Sequence, residues 1–213
     1  MTAIQKWLAA LAATIVAVTI SYQWLDRPIS LFANGRMVQQ DAYEKLTHIP
    51  DPFIPAAAVI FVALGLWVLL PRPLSKPAAT ALLCSISVIV SETIKNQLKF
   101  IFGRTWPDTW IQNNPSFIHD GVYGFNFFHG GAGYMSFPSG HLSLTCAIAS
   151  VLWMAYPKLR ALYALVVLAV VIGLIGANYH FLSDIIAGGF VGTSTGWMLT
   201  AMWRARQRGA AEP

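Results

Sequence analysis

Two short polar motifs contain the residue types in this sequence that could do chemistry. The first is the stretch PSGH at 138–141, which stands directly before an apolar run, and the second is His180 followed four residues later by Asp184. Residues four apart share a helix face, so the carboxylate can hydrogen-bond one imidazole nitrogen and leave the other free to attack as a nucleophile. A polar pair that only caps a turn is the alternative interpretation.

The PSGH motif predicts the start of a helix. Ser139 is a favourable N-cap residue for a helix that begins at Gly140. A helix N-terminus offers free amide groups and the positive end of the helix dipole, which suit a phosphate. His141, in the first turn, would then point at a bound anion. A plain helix cap with an incidental histidine is compatible with the same residues.

The composition is that of a membrane protein. Of the 213 residues, 56% are hydrophobic and 11% are charged, whereas soluble domains have about 25% charged residues. Six apolar runs are long enough, or nearly so, to cross a bilayer, which needs about 20 helical residues. They are residues 4–24, 53–71, 77–98, 139–156, 160–180 and 182–203. We therefore predict an all-α six-helix membrane bundle that forms a single domain over 1–213.

Small residues within the runs are interpreted as packing residues. Cys84 and Cys146 lie inside apolar runs, which favours two buried thiols over a disulfide. Three glycines of the last run are predicted to allow close helix packing rather than ligand binding. They are Gly188, Gly189 and Gly192.

The basic residues divide unequally between the two ends of the predicted bundle. Eight Lys and Arg residues fall on one side and five or six on the other, which predicts cytoplasmic termini and an outward-facing PSGH motif. The eight are Lys6, Arg72, Lys76, Lys158, Arg160, Arg204, Arg206 and Arg208. The net charge of +5 therefore reflects the orientation in the membrane and predicts contact with anionic lipid. It does not indicate nucleic-acid binding. A cleaved signal peptide at the first run is less favoured, because its removal would leave an odd number of helices.

Two outer segments are long. Residues 25–52 are predicted to form an interfacial amphipathic helix with a structural role. Residues 99–138 are rich in Gly, Pro and aromatic residues, which favours an ordered loop with a function. His48 and His119 lie in these segments and are interpreted as ordinary surface histidines.

Cations stand at the same predicted membrane face as the two histidine motifs. Lys99 and Arg104 follow the third run, and polar groups at this depth are costly unless they are paired or functional. Glu92, near the outer end of that run, is interpreted as a structural charge that positions Lys95 and Lys99. A proton relay through Glu92 is the less favoured alternative.

Together these residues resemble the type 2 phosphatidic acid phosphatase superfamily of membrane lipid phosphatases. That family has a six-helix bundle and the signature Lys-x6-Arg-Pro, then Pro-Ser-Gly-His, then Ser-Arg-x5-His-x3-Asp. The resemblance is carried here by KFIFGRTWP at 99–107, PSGH at 138–141 and HFLSD at 180–184. It covers about 99–184 in motif and most of the chain in topology.

The resemblance implies a reaction and a role for each residue. His180 would be the nucleophile that forms a phosphohistidine, Asp184 would orient it, and His141 would be the general acid for the leaving oxygen. The implied phosphate-binding groups belong to Lys99, Ser139 and Gly140. The family mechanism implies no metal and no other cofactor.

The sequence departs from the family pattern at two arginines that would grip phosphate. Trp106 stands where the first motif has arginine, and Gly173 and Leu174 replace the Ser-Arg pair of the third motif. We expect Arg104 to turn inward and take over one phosphate contact.

Two further residues are candidates for covering the other missing arginine. They are Asn178 and His129.

The predicted function is removal of phosphate from a lipid phosphate or diphosphate at the outer leaflet of the cytoplasmic membrane. Candidate substrates are an isoprenoid diphosphate, phosphatidylglycerol phosphate, phosphatidic acid and lipid A. Three alternatives stay open from the sequence. They are phosphotransfer between lipids, a metalloenzyme with His141, His180 and Asp184 as ligands, and an inactive lipid-binding or transport protein.

Overall fold

The chain folds into helices joined by loops in the computed structural model, which describes residues 1–36, 40–70, 72–110 and 112–209. Within these residues the helices are α1 (Ala3–Ile20), α2 (Asp26–Arg36), α3 (Gln40–Thr47), α4 (Phe53–Val68), α5 (Lys76–Phe102), α6 (Phe117–Asp120), α7 (Gly140–Ala155), α8 (Arg160–Gly176) and α9 (Leu182–Gly209). Position 71, the predicted end of the second apolar run, lies outside the described residues, as do 37–39 of the predicted interfacial segment and 111 of the outer loop.

Several of these helices have the length and composition of membrane spans. Four continuous helical stretches are long and apolar enough to cross a bilayer: Ala3–Gly35, Lys76–Phe102, Pro157–Gly176 and Leu182–Gly209. The apolar helices α4 and α7 are shorter, at 16 residues each. The predicted all-helical architecture of membrane type is confirmed at this level.

Helices α7 and α9 form the centre of the bundle, and glycines of α9 allow their close approach. A Cβ atom at Gly188 would overlap the carbonyl oxygen of Ser139, and one at Gly192 would overlap that of Ser143. Helix α5 packs against both α7 and α9, and the hydroxyl groups of Ser91 and Ser143 are 2.7 Å apart between α5 and α7. The predicted packing role of the α9 glycines is therefore seen at Gly188 and Gly192.

Helix α5 ends where the chain must turn toward the site. Gly103 adopts a left-handed conformation with φ of 52° and donates its amide to the carbonyl oxygen of Lys99. A Cβ atom at Gly103 would overlap the carbonyl oxygen of Asn126, so only glycine fits this C-cap. The turn places Arg104 beneath the outer loop.

The segment 25–52 differs from the single interfacial helix that we predict from sequence. Helix α2 continues α1 through a π-helical turn at Ser21–Leu25, and α3 lies against α8. A Cβ atom at Gly173 would come within 2.8 Å of the Thr47 amide nitrogen, and one at Gly176 would overlap the ring of Tyr43. The two α8 glycines therefore provide the surface on which α3 packs.

The outer loop 99–138 is held by aromatic packing. Phe102, Phe125 and Phe137 form a cluster with ring centroids 4.9–5.7 Å apart. Such pairs contribute about 0.5–1.5 kcal/mol each beyond the area they bury. The aromatic residues thus give this segment the ordered packing that its composition predicts.

The α7–α9 contact can be tested with two matched glycine substitutions. We expect Gly192→Ala to destabilise the protein by about 1–3 kcal/mol, because its methyl group would overlap the backbone of α7. The control Gly65→Ala lies within α4, where a Cβ atom would meet nothing within 4 Å, and helix propensity alone predicts a gain of about 0.5–1 kcal/mol. Thermal unfolding of the detergent-solubilised variants measures both. Equal unfolding temperatures for the two variants would contradict the close packing.

Candidate active site

The N-terminus of α7 presents free amide groups, as the PSGH motif predicts. Ser139 is fully buried and caps the helix, with its hydroxyl accepting from the amide of Leu142. The amides of Gly140 and His141 fall in the first turn, where N–H groups have no intrahelical carbonyl to bond. Free amides and the positive end of the helix dipole are therefore available to an anion.

A pocket of about 150 Å³ opens beside this helix end. It receives side chains from α4, α5, α7, the outer loop and the loops that precede α4 and α9, which are far apart in sequence. Its lining residues are Asp51, Ile54, Glu92, Lys95, Lys99, Trp106, Gly140, His141, Leu144, Tyr179 and His180. The two predicted catalytic histidines therefore share one pocket.

His180 and Asp184 form the predicted pair. His180 lies just before α9 and Asp184 in its first turn, with Nδ1 of the imidazole 3.5 Å from Oδ2 of the carboxylate. The same carboxylate oxygen accepts from the hydroxyl of Ser136 at 2.7 Å and from the amide of Phe181 at 3.1 Å. Asp184 is thereby held in place on the Nδ1 side of His180.

The protonation state of His180 suits a nucleophile. Burial lowers the pKa of the His180 imidazole, although the carboxylate of Asp184 partly opposes this effect. The imidazole is consequently neutral at pH 7, with a lone pair to share. Since Asp184 lies at Nδ1, the proton is expected on that nitrogen and the lone pair on Nε2.

Arg104 does not reach the pocket, contrary to our expectation. Its guanidinium is fully buried and donates to Asp184 at 2.5 Å, to Asp26 at 2.7 Å and to the hydroxyl of Ser183. Burial disfavours the charged guanidinium, but the two carboxylates outweigh this effect and raise the pKa of Arg104. Arg104 is thus paired with carboxylates on the side of His180 that faces away from the pocket. It does not point into the pocket, where a phosphate would bind.

Aromatic rings also pack around the guanidinium of Arg104. The guanidinium lies 4.4 Å from the ring centroid of Phe181 and 5.3 Å from that of Tyr123. Asp26, which no sequence pattern marks as functional, also accepts from the amide of Ser183 at 2.9 Å. Asp26 and Asp184 are 158 positions apart, which explains why sequence reasoning missed this cluster.

Lys99 and Trp106 line the pocket side by side. The Lys99 ammonium donates to the carbonyl oxygen of Met135 at 2.5 Å and lies 5.5 Å from the centroid of the Trp106 ring. Trp106 is buried, its indole N–H donates to the carbonyl oxygen of Ala132 at 2.8 Å, and its ring lies 5.2 Å from that of His180. The expected arginine is thus replaced by an apolar wall, not by another cation.

Lys95 supplies a second cation that sequence reasoning did not assign to phosphate. It lies one helical turn before Lys99 on α5 and pairs with Glu92 at 2.6 Å. A Cβ atom on Gly140 would be 3.2 Å from its ammonium nitrogen, so the Lys95 side chain packs closely against the α7 N-terminus. The spacing of four from Lys99 was the available signal, because such residues share a helix face.

Three of the predicted phosphate ligands lie outside the pocket. The amide of Ser139 is already bonded to the carbonyl oxygen of Asp184 at 2.9 Å. Asn178 is buried and accepts from the hydroxyl of Ser30 at 2.7 Å. His129 is exposed, and its ring lies tilted against that of Tyr134 with the centroids 3.9 Å apart.

Leu174, which stands at the position of the second missing arginine, lies in the protein interior. Leu174 is fully buried in an apolar cluster with Leu142, Val170 and Ile185. Its carbonyl oxygen accepts from the amides of residues 179 and 180, so its backbone supports the loop that holds His180. The leucine therefore has a packing role in place of a phosphate contact.

His141 faces His180 across the pocket. The centroids of the two rings are 6.3 Å apart. Nε2 of His141 lies 3.4 Å from a carboxylate oxygen of Asp51, and the Tyr179 ring packs edge-on against the imidazole at 5.4 Å. A small group bound between the two histidines would contact both.

Known proteins with similar sequences include a family of phosphatases and two named relatives. The model of the PAP2 superfamily matches residues 80–208. A lipid A 1-phosphatase of Rhizobium etli is 31% identical, over 94% of this chain and 86% of its own length. A lipid A 1-phosphatase of Rhizobium johnstonii is 30% identical, over 86% of this chain and 75% of its own length.

The fold has a counterpart of known structure. The crystal structure of a transmembrane PAP2 type phosphatidylglycerolphosphate phosphatase from Bacillus subtilis superposes with a TM-score of 0.56 at 14% identity, covering 94% of this chain and 96% of that one. The matched range 80–208 contains Lys95 and Lys99, the PSGH motif and the His180–Asp184 pair. The chain therefore belongs to the PAP2 superfamily and is a phosphatase.

Proposed function

We propose that the chain removes phosphate from a membrane lipid phosphate, without a metal ion, through a phosphohistidine at His180. The observation that carries the proposal is the pocket itself. His180 and His141 face each other across it, and Lys95, Lys99 and the α7 N-terminus line it. This set provides a nucleophile, a proton donor and positive charge at one place.

The first step would be attack on phosphorus. The lone pair on Nε2 of His180 forms the N–P bond while the bond from phosphorus to the lipid oxygen breaks. Protonated His141 gives its proton to that oxygen, so the lipid leaves as an alcohol. The products of this step are the free alcohol, a neutral His141 and phosphohistidine.

The second step would regenerate the enzyme. Neutral His141 takes a proton from water, whose oxygen attacks phosphorus as the N–P bond breaks. Phosphate leaves, and His180 recovers its lone pair while His141 is again protonated. The ring centroids of the two histidines are 6.3 Å apart, so a phosphoryl group bound in the pocket beside them is within reach of both.

Positive groups in the pocket would stabilise the phosphate charge. The ammonium groups of Lys95 and Lys99 and the free amide of Gly140 can each bind a non-bridging oxygen. Lys95 is held by Glu92 at 2.6 Å and would exchange part of that contact for the phosphate. We assign to Lys95 the phosphate contact that the sequence led us to expect from Arg104.

The buried charges behind His180 fit the same chemistry. Arg104 lies between the two carboxylates of Asp26 and Asp184, all three fully buried. With the carboxylates ionised, this cluster has a net charge of −1. A His180 ring that becomes cationic on forming the N–P bond would balance that charge through Asp184. Arg104 and Asp26 are positioning residues in this proposal.

The substrate that we propose is a lipid A type glycolipid phosphate. Two relatives with about 30% identity are named lipid A 1-phosphatases, and each match covers most of both chains. The pocket of about 150 Å³ holds little more than a phosphate group, so the lipid itself would remain outside it.

We further propose that six helices cross the membrane, namely α1 with α2, α4, α5, α7, α8 and α9, and that they form a single domain. The excess of Lys and Arg on the opposite side favours cytoplasmic termini and a pocket at the outer face of the cytoplasmic membrane. The 16 residues of α4 and α7 span about 24 Å, so the adjoining segments would complete their crossings.

Substitution of either histidine tests the mechanism. We expect His180→Asn to abolish phosphate release from lipid A and His141→Asn to reduce it by about 10²–10⁴-fold, because the first removes the nucleophile and the second the proton donor. Release is measured with the purified protein in mixed micelles, with and without chelator. His129→Asn is the matched control, since this histidine is exposed outside the pocket.

Three outcomes would contradict the proposal in different ways. Chelator-sensitive release would indicate a metal-dependent reaction. Full activity of His180→Asn would remove the phosphohistidine. Release from phosphatidic acid but not from lipid A would change the substrate and keep the mechanism.

Lys95→Ala tests the reassigned phosphate contact. A hydrogen bond to a charged group contributes about 1.5–3 kcal/mol, so kcat/KM should fall by at least about tenfold. Lys45→Ala, on the exposed face of α3, is the control and should match the wild type. An unchanged kcat/KM for Lys95→Ala would show that the Glu92 pair is the whole role of this lysine.

Asp26→Asn tests the positioning cluster. We expect a stability loss of about 3–5 kcal/mol, the usual cost of breaking a buried ion pair from one side. We also expect a lower kcat with little change in KM, because Arg104 does not contact the pocket. Thermal unfolding and steady-state kinetics measure the two effects, with exposed Asp41→Asn as control. A raised KM at unchanged kcat would instead indicate that Arg104 binds phosphate.

A further inference from the structure

A second group of ligand-type side chains lies at the mouth of the pocket. His48 and Asp51 belong to the turn between α3 and α4, and His141 to the first turn of α7. Nδ1 of His48 is 2.6 Å from Oδ2 of Asp51, and Nε2 of His141 is 3.4 Å from Oδ1. One ligand atom from each of the three lies within 4.8 Å of the others.

These side chains are accessible and only partly held. The side chains of His48 and Asp51 are 42% and 45% exposed, and that of His141 is 20% exposed. An ion could therefore reach them from solvent, and small rotations of the two exposed side chains would bring all three ligand atoms around it.

Carboxylates lie near both ring nitrogens of His48, and a small movement of Glu44 would bring it to hydrogen-bond distance. Nδ1 of His48 faces Asp51, while its Nε2 lies 3.8 Å from a carboxylate oxygen of Glu44. Histidines that bind metals usually donate their other ring N–H to a carboxylate or carbonyl group, which fixes the tautomer. Tyr179 packs edge-on against both histidines, at 6.3 Å from His48 and 5.4 Å from His141.

Carboxylates as well as lysines lie near the three ligands. Asp51 and Glu44 are acidic, and the ammonium group of Lys95 is paired with Glu92 at 2.6 Å. Lys95 lines the same pocket, and so does Lys99. The ammonium group of Lys99 is directed toward the carbonyl oxygen of Met135 at 2.5 Å.

We propose that His48, Asp51 and His141 form a binding site for Zn²⁺ or a similar divalent transition metal, and that the bound ion inhibits the enzyme. Two imidazoles and one carboxylate are a ligand set that zinc uses in proteins, with water in the fourth position. The inhibition rests on the proposed function, because it acts through His141. An imidazole whose Nε2 is bound to a metal no longer carries the proton of an imidazolium, so it cannot protonate the leaving oxygen.

Direct binding tests the site without any assay of activity. Isothermal titration of the purified, chelator-treated protein with Zn²⁺ should show one site, and His48→Ala should lose it. Glu44→Gln keeps all three ligands and should weaken the affinity by about tenfold, the lower end of the effect of removing such a partner. His119→Ala is the matched control, because His119 forms a separate pair with Asp108 at 2.9 Å. Unchanged binding by His48→Ala, or no binding by the wild type, would overturn the site.

Phosphate release tests the inhibition. Zn²⁺ should inhibit the wild-type protein reversibly, with activity restored by chelator, whereas His48→Ala should keep its basal activity and resist Zn²⁺. Equal inhibition of the wild type and His48→Ala would overturn the inhibitory role, as would zinc binding without inhibition. A protein that releases no phosphate from any lipid would contradict the proposed function, and the titration would still decide the metal site.

Discussion

The buried ion cluster around Arg104 is the constraint on which the site depends. A guanidinium can be fully buried only if carboxylates and hydrogen bonds replace its water. Arg104 meets this requirement with Asp26 from the start of α2 and Asp184 from the first turn of α9. The N-terminal helices, the outer loop and the last helix are thereby tied together directly behind His180. Leaving any one of these charges unpaired would be costly. The fold therefore favours the arrangement in which all three pair and the carboxylate of Asp184 lies beside the imidazole of His180.

The same cluster engages the arginine that we expected to contact phosphate. In this chain the arginine near the first motif organises carboxylates, and the pocket draws its positive charge from lysines of α5 and from the end of α7. A lysine ammonium is a flexible point charge, whereas an arginine holds an oxyanion in a fixed two-pronged geometry. The phosphate of this enzyme would therefore be oriented more by the pocket walls, including Trp106, than by forked hydrogen bonds.

Local patterns were enough to predict the all-helical architecture of membrane type and the N-cap at Ser139. His180 and Asp184 do lie within 3.5 Å of each other, but His180 precedes α9, so the pair does not share a helix face as the spacing alone predicts. The direction of Arg104 could not be predicted, because it depends on a carboxylate 78 positions earlier in the chain. The extent of α2 and the packing of α3 on α8 were missed for the same reason. The extent of α2 and the packing of α3 both depend on tertiary contacts. The pattern of residues within 25–52 does not indicate those contacts.

The departure at Gly173 and Leu174 has a physical explanation in α3. Gly173 lies beneath this helix, where any side chain would press into the backbone at Thr47, and Leu174 fills the core on the other side. A serine at position 173 could not coexist with α3 in its present place. The turn that follows α3 then carries His48 and Asp51 to the mouth of the pocket. The glycine at position 173 and the placement of these ligand-type side chains thus both belong to the packing of α3 on α8.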